Sequence, residues 1–138
     1  MPISYDEAQR AAQAAHARAQ EIGIRISCAV VDEGGFLQLL ARMDGAPPLS
    51  AQVAECKAVG SAMLHREGEE IARLHQDRPG FFAAADRLGR VPFIPGAGSR
   101  LLKRGGGILG AIGISGGKPE QDVDCADAGL RAAALGAA

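Results

Sequence analysis

The stretch Gly105–Gly117 reads GGGILGAIGISGG, and it offers the first candidate chemistry. Gly105, Gly107 and Gly110 satisfy G-x-G-x-x-G, the spacing that lets a backbone approach a dinucleotide pyrophosphate. That use needs a strand before the glycines, a helix opening on them, and an acidic residue about 20 positions on. Here the residues after Gly105 read as a strand, and a helix follows only the second glycine group. The 138 residues then end before a βαβ unit is complete, so a nucleotide loop is not expected. Two compatible readings remain. Gly110 and Gly113 can sit where another backbone or a helix approaches a strand closely. They can also leave room on a sheet for a flat ligand. Ser115, Gly116 and Gly117 would then present N–H groups beside a helix start, a place favourable to anions.

The remaining reactive side chains are sparse. His16, His65 and His75 show no i, i+4 spacing, so no preformed metal site is expected. Cys28, Cys56 and Cys125 are odd in number and far apart, which argues against a disulfide framework or a C-x-x-C site and for reduced thiols in the cytoplasm. REGEE (66–70) offers carboxylates that could hold iron loosely, but a solvated charged face is the favoured reading. Arg100, Lys103 and Arg104 form the tightest basic cluster and read as a solvated turn. Pro2 would be N-terminal after loss of Met1, as in tautomerases of another fold. Those begin with a strand, whereas a helix follows here, so that use is set aside.

These groups must be positioned by a small core. At 138 residues a single domain over 1–138 is expected, with 47% apolar and 22% charged residues. Aromatics are only 4% and Trp is absent, so Ala, Val, Ile and Leu must build the interior. The net charge of −1 and the lack of a basic, aromatic-interleaved stripe speak against nucleic acid as a partner. The N-terminus MPISYDEAQR lacks the pattern of a secretory signal. No apolar run approaches the roughly 18 residues of a membrane span.

SYDE (4–7) is a capping box, followed by alanines at helical spacing and a Gly23 stop, so 5–22 is a helix. Ile24–Val31 and Phe36–Met43 are apolar runs around the Asp32–Gly35 turn, an antiparallel hairpin. Leu49 to about His65 has helical spacing. REGEEIARLHQDRP and PGFFAAADRLG read as two shorter helices. Strands are expected near 91–94, at 99–104 and at 107–114, and a final helix from Pro119. The order α-β-β-α-α-α-β-β-β-α predicts an α+β domain on a mostly antiparallel sheet, with the terminal helices on one face.

Four segments then resemble a known family: AVVDEGGFLQLLARMDGAP (29–47), AECKAVGSAM (54–63), FIPGAG (93–98) and LGAIGISGGKPEQD (109–122). Together they are similar to the GlcG/HbpS family, which also occurs as the C-terminal domain of PduO-type proteins. The resemblance implies a profilin-like sandwich, a central antiparallel five-stranded sheet flanked by N- and C-terminal helices. It also implies homo-oligomers from dimer to octamer, and haem or a related flat carboxylate-bearing ligand. That ligand would lie between sheet and helices or at a subunit interface. Haem takes an axial His, Cys, Met or Tyr, and His16, mid-helix among alanines, is the best candidate. Arg42 and Asp44 match the family's R-M-D, and Lys57 matches its helical lysine. Each alone could be structural, Arg42 and Asp44 stapling a turn and Lys57 lying exposed on its helix. With the Ser115–Gly117 amides and Gly110 they could instead form a cationic cleft for a carboxylate or haem propionate. The leading expectation is a cytoplasmic haem-binding or haem-degrading protein. One alternative is an enzyme acting by proton transfer on a small carboxylated catabolite, with Lys57 as shuttle or enolate stabiliser, Arg42 in support and Asp44 or Asp32 as base. Another is a regulatory partner without chemistry of its own.

Overall fold

The computed structural model describes residues 2–134. The capping box forms as the sequence predicts. Ser4 Oγ accepts the Glu7 N–H at 3.1 Å, and Glu7 Oε1 accepts the Ser4 N–H at 3.0 Å. Helix α1 (Tyr5–Ile22) starts there and ends at Gly23, whose φ of 77° favours glycine. Strands β1 (Ser27–Asp32) and β2 (Leu37–Arg42) make the first hairpin. At its tip Asp32 Oδ1 accepts the Gly34 and Phe36 N–H groups, both at 2.9 Å. Then come α2 (Leu49–Leu64), α3 (Gly68–Asp77), α4 (Pro79–Asp86), β3 (Ser99–Arg104), β4 (Gly107–Ser115) and α5 (Pro119–Ala134).

The strands form one antiparallel sheet in the order β2-β1-β4-β3. Helices cover both faces. Cys28 and Val30 of β1, Leu102 of β3, and Ile112 and Ile114 of β4 pack on the alanine faces of α1 and on α5. The alternate residues Ala29, Val31, Leu101 and Ala111 pack on Ala54, Ala58 and Ala62 of α2, and Ile71, Phe82 and Phe93 extend that layer. Central β1 is therefore buried on both faces, which is why its sequence is a continuous apolar run.

The small residues set the layer spacing. A Cβ on Gly113 would lie 2.2 Å from Ala54 O, and one on Gly110 would lie 2.0 Å from Val31 O. The first glycine admits the backbone of α2 and the second the backbone of β1. Space that the sequence left open to a ligand at Gly110 is thus filled by the protein itself.

Two expectations are corrected. The sheet has four strands rather than five, because residues 91–94 form no strand. Pro92 and Pro95 have no N–H to give a ladder, and the Phe93 N–H is taken by Asp86 Oδ1. The segment instead drops Phe93 into the α2-side core. The basic cluster is strand, not solvated turn: Arg100 and Arg104 lie in β3, and Gly105 and Gly106 turn the chain. Arg100 is held by Asp127 and Glu69, both at 2.7 Å, and Arg104 pairs with Glu7.

Candidate functional site

Lys57 is not on an exposed helix face. It points from α2 beneath the turn that joins β4 to α5, and its side chain is only 9% exposed. Nζ donates to Ile114 O at 2.9 Å and to Asp122 Oδ2 at 3.2 Å. Asp122 Oδ1 accepts the Gly117 N–H at 2.9 Å. Gly98, at φ 117°, completes the enclosure, since a Cβ there would come 3.1 Å from Nζ. The pair thus ties α2, the Pro95–Gly98 turn, the end of β4 and the first turn of α5. Burial lifts the Asp122 carboxyl above the usual aspartate range, while Lys57 and the Gly117 N–H pull against that rise.

The amides of the Ser115–Gly117 turn are mostly committed internally. The Gly117 N–H serves Asp122, and the next amide, Lys118 N–H, serves Gln121 Oε1 at 2.9 Å. Gly116 packs on the Arg25 carbonyl, where a Cβ would sit 2.3 Å from the oxygen. Ser115 is half-buried and lies in register with Ser27, which in turn is in register with Arg42.

Arg42 and Asp44 are both exposed. Together with Met43 and Gly45 they line a shallow cavity of about 280 Å³ that does not include Lys57. Arg42 Nε donates to Ala46 O at 3.1 Å, and Arg25 Nη1 donates to Asp44 O at 3.2 Å. These side chains hold the post-β2 turn through its carbonyls. Asp32, the other base considered, caps the hairpin tip at the far end of β2. Arg42, Asp44 and Lys57 therefore do not converge on one reacting centre.

His16 is half-buried on α1, with its Nε2 3.0 Å from Ala41 O of β2. A carbonyl only accepts, so Nε2 carries the proton in this contact and the neutral ring keeps its lone pair on Nδ1. This is the arrangement by which a backbone carbonyl orients a metal-ligating imidazole. His65 and His75 are exposed, the first at the end of α2 and the second edge-on to Phe82.

One apolar opening has no counterpart among the sequence expectations. A groove of about 410 Å³ runs between α2 and the 91–94 segment, lined by Leu49, Val53, Cys56, Val91, Pro92 and Ile94 among others. Its signal was present: Leu49, Val53 and Cys56 recur at helical spacing on the face opposite Ala54 and Ala58. In the sequence Asp122 is simply an acid in the first turn of the last helix. Its role as partner to Lys57 is a contact between residues 65 apart, with no local signature.

Comparison with known proteins gives a consistent answer. The corrinoid adenosyltransferase PduO of Citrobacter freundii is 29% identical over 133 residues, covering 96% of this chain and 39% of that protein. The chain thus spans about two fifths of that relative's length. Protein GlcG of Escherichia coli K12 is 30% identical over 117 residues, covering 82% of this chain and 81% of that one. The crystal structure of a PduOC:haem complex superposes with a TM-score of 0.86 at 26% identity, covering 96% of this chain and 95% of the other. No helix among the described residues is long and apolar enough to cross a membrane. The signature described as haem degrading protein HbpS-like matches residues 3–131, and the chain belongs to this HbpS-like family.

Proposed function

We propose that this chain is a haem-binding protein that works as a homo-oligomer in the cytoplasm, with His16 as the axial ligand. The observation that carries the reading is the His16–Ala41 hydrogen bond, which orients the imidazole and leaves Nδ1 as its lone-pair donor. The residues fit the group in one further respect. Arg42 follows Ala41 directly and is exposed, with Nε alone engaged among the described residues, so its remaining N–H groups suit a propionate. The cysteines are free thiols, in keeping with a reducing compartment. The structural likeness to a PduOC:haem complex supports the same ligand class. When bound, haem would supply iron-centred redox or ligand chemistry. The chain's own residues would bind it, fix the imidazole and pair the propionates. Haem degradation, the activity in the family's description, draws no support from a converging acid–base set in this chain.

The test is a haem titration followed at the Soret band. Stoichiometric development of a band with the wild type, and its loss or displacement in His16→Ala, is the expected result. No band at stoichiometric haem overturns the ligand. A His16→Ala spectrum identical to the wild type overturns the assignment of His16. The proton-transfer alternative finds no shared pocket for Lys57, Arg42 and Asp44.

A further inference from the structure

We propose that the outer edge of β2 is where a second copy of this chain adds, antiparallel about a two-fold axis, so that the two sheets become continuous. The inference deepens the homo-oligomer reading above and rests on it.

The sheet has two edges, β2 and β3, and they are treated differently. On β3 the outward Leu101 N–H is taken by the Glu67 carboxylate, both of whose oxygens lie 3.3 Å away. Arg100 of the same strand is bound to Glu69 and Asp127. One outward donor of that edge is thus already taken by the chain's own side chain, and charged side chains crowd beside it. On β2 the register with β1 pairs Cys28 with Ala41 and Val30 with Leu39, and the Met43 N–H continues the pattern to Ile26 O. The alternation of an antiparallel ladder then turns the N–H and C=O groups of Leu40 and Arg42 outward. Among the described residues no hydrogen bond reaches these outward groups. The strand carries no proline and no lysine, the usual guards of an exposed edge. Leu37 and Leu40 remain 42% and 38% exposed beside it.

The charges say what the occupant is. One end of β2 carries Arg42 and Arg25 against the single carboxylate of Asp44. The other end carries Asp32 and Glu33, while nearby Arg90 is matched by Glu55 at 2.7 Å. The two ends therefore have opposite sign. Antiparallel pairing of the strand with itself lays each end against its opposite, a complementarity that a second copy supplies without any other partner. With Leu40 facing its own counterpart, the outward N–H and C=O groups of the two Leu40 residues meet as a hydrogen-bonded pair.

The experiment is a mass measurement by sedimentation or light scattering, in the absence of haem, over 1–100 µM on the order of typical affinities. The wild type is expected to self-associate. Leu40→Pro removes an outward N–H and no ladder bond to β1, so it should lower the mass to that of the unit left when this interface is lost, with unchanged far-UV circular dichroism. If that variant fails to fold, Leu40→Arg tests the same point by placing like charges opposite each other across the axis. Arg42→Glu should weaken association and Glu33→Arg added to it should restore it. Retention of the wild-type mass by a folded Leu40→Pro or Leu40→Arg protein overturns this surface while leaving the oligomer reading intact. A wild type that stays monomeric at the highest concentration overturns both. Neither outcome bears on the Soret titration, which reads haem separately.

Discussion

Replacing Lys57 by methionine keeps most of its volume but removes the charge that faces Asp122. The carboxylate is then left with its side chain 4% exposed and a single donor, the Gly117 N–H. Breaking a buried pair by removing one partner costs about 3–5 kcal/mol, because the remaining charge has no compensation. For a chain of 138 residues the unfolding entropy is roughly 290 cal/mol/K, so the melting temperature should fall by about 10–17 °C. Adding Asp122→Asn should restore most of the loss, since the amide oxygen can still accept from Gly117 and nothing charged is buried. The pH dependence has a definite sign. Burial holds the folded Asp122 carboxyl above its unfolded value, and loss of Lys57 raises it further. Between those two values the native state binds the extra proton, so stability falls as pH rises through that window. The Lys57→Met deficit should therefore be smallest below about pH 4, the ordinary aspartate range, and full at neutral pH. Urea or thermal unfolding followed by circular dichroism at both pH values reads this directly. A loss under about 1 kcal/mol at neutral pH, the value of an exposed pair, would refute the reasoning, as would a double variant no better than the single one.

Two further outcomes check the packing. Gly113→Ala puts a methyl 2.2 Å from Ala54 O and should cost about 1–3 kcal/mol or more by forcing α2 off the sheet. Gly80→Ala, in α4 with nothing within 4 Å, should instead gain up to about 1 kcal/mol, and paired thermal melts separate the two. Burial pushes the Cys125 thiol up to about 11 and raises Cys28 and Cys56 as well, but Cys56 alone of the three is only half-buried, at the α2 groove. A thiol reagent near neutral pH should label Cys56 first and the other two only on unfolding, with the number of fast-reacting thiols per chain as the readout.

The elements were legible because their signals are local. The Ser4–Glu7 box, the Gly23 stop, the Asp32–Gly35 turn and Pro119 each act within a few residues. The one expected strand that does not form, 91–94, has the apolar content of a strand, but Pro92 within it and Pro95 directly after it cannot feed a ladder. The glycines of the opening stretch were read as either backbone clearance or ligand space. Geometry decides for clearance at Gly110 and Gly113, where β1 and α2 fill the volume. The candidate site was less legible. From sequence Lys57 reads either as an exposed helical residue or as part of a cationic cleft, and its burial depends on Asp122, Ile114 and Gly98, brought together only by the fold. His16 could be singled out as a histidine among alanines, but the carbonyl that orients it belongs to a strand 25 residues away.

The Glu67 carboxylate on the β3 edge has a bearing on how far any assembly can grow. A sheet with two open edges has no geometric reason to stop recruiting strands, which is the route to fibres. A sheet with one open edge is satisfied by a single addition. By keeping the Leu101 N–H for itself, Glu67 withholds a donor that a strand adding at β3 would need, so growth is disfavoured on that side while β2 stays open on the other.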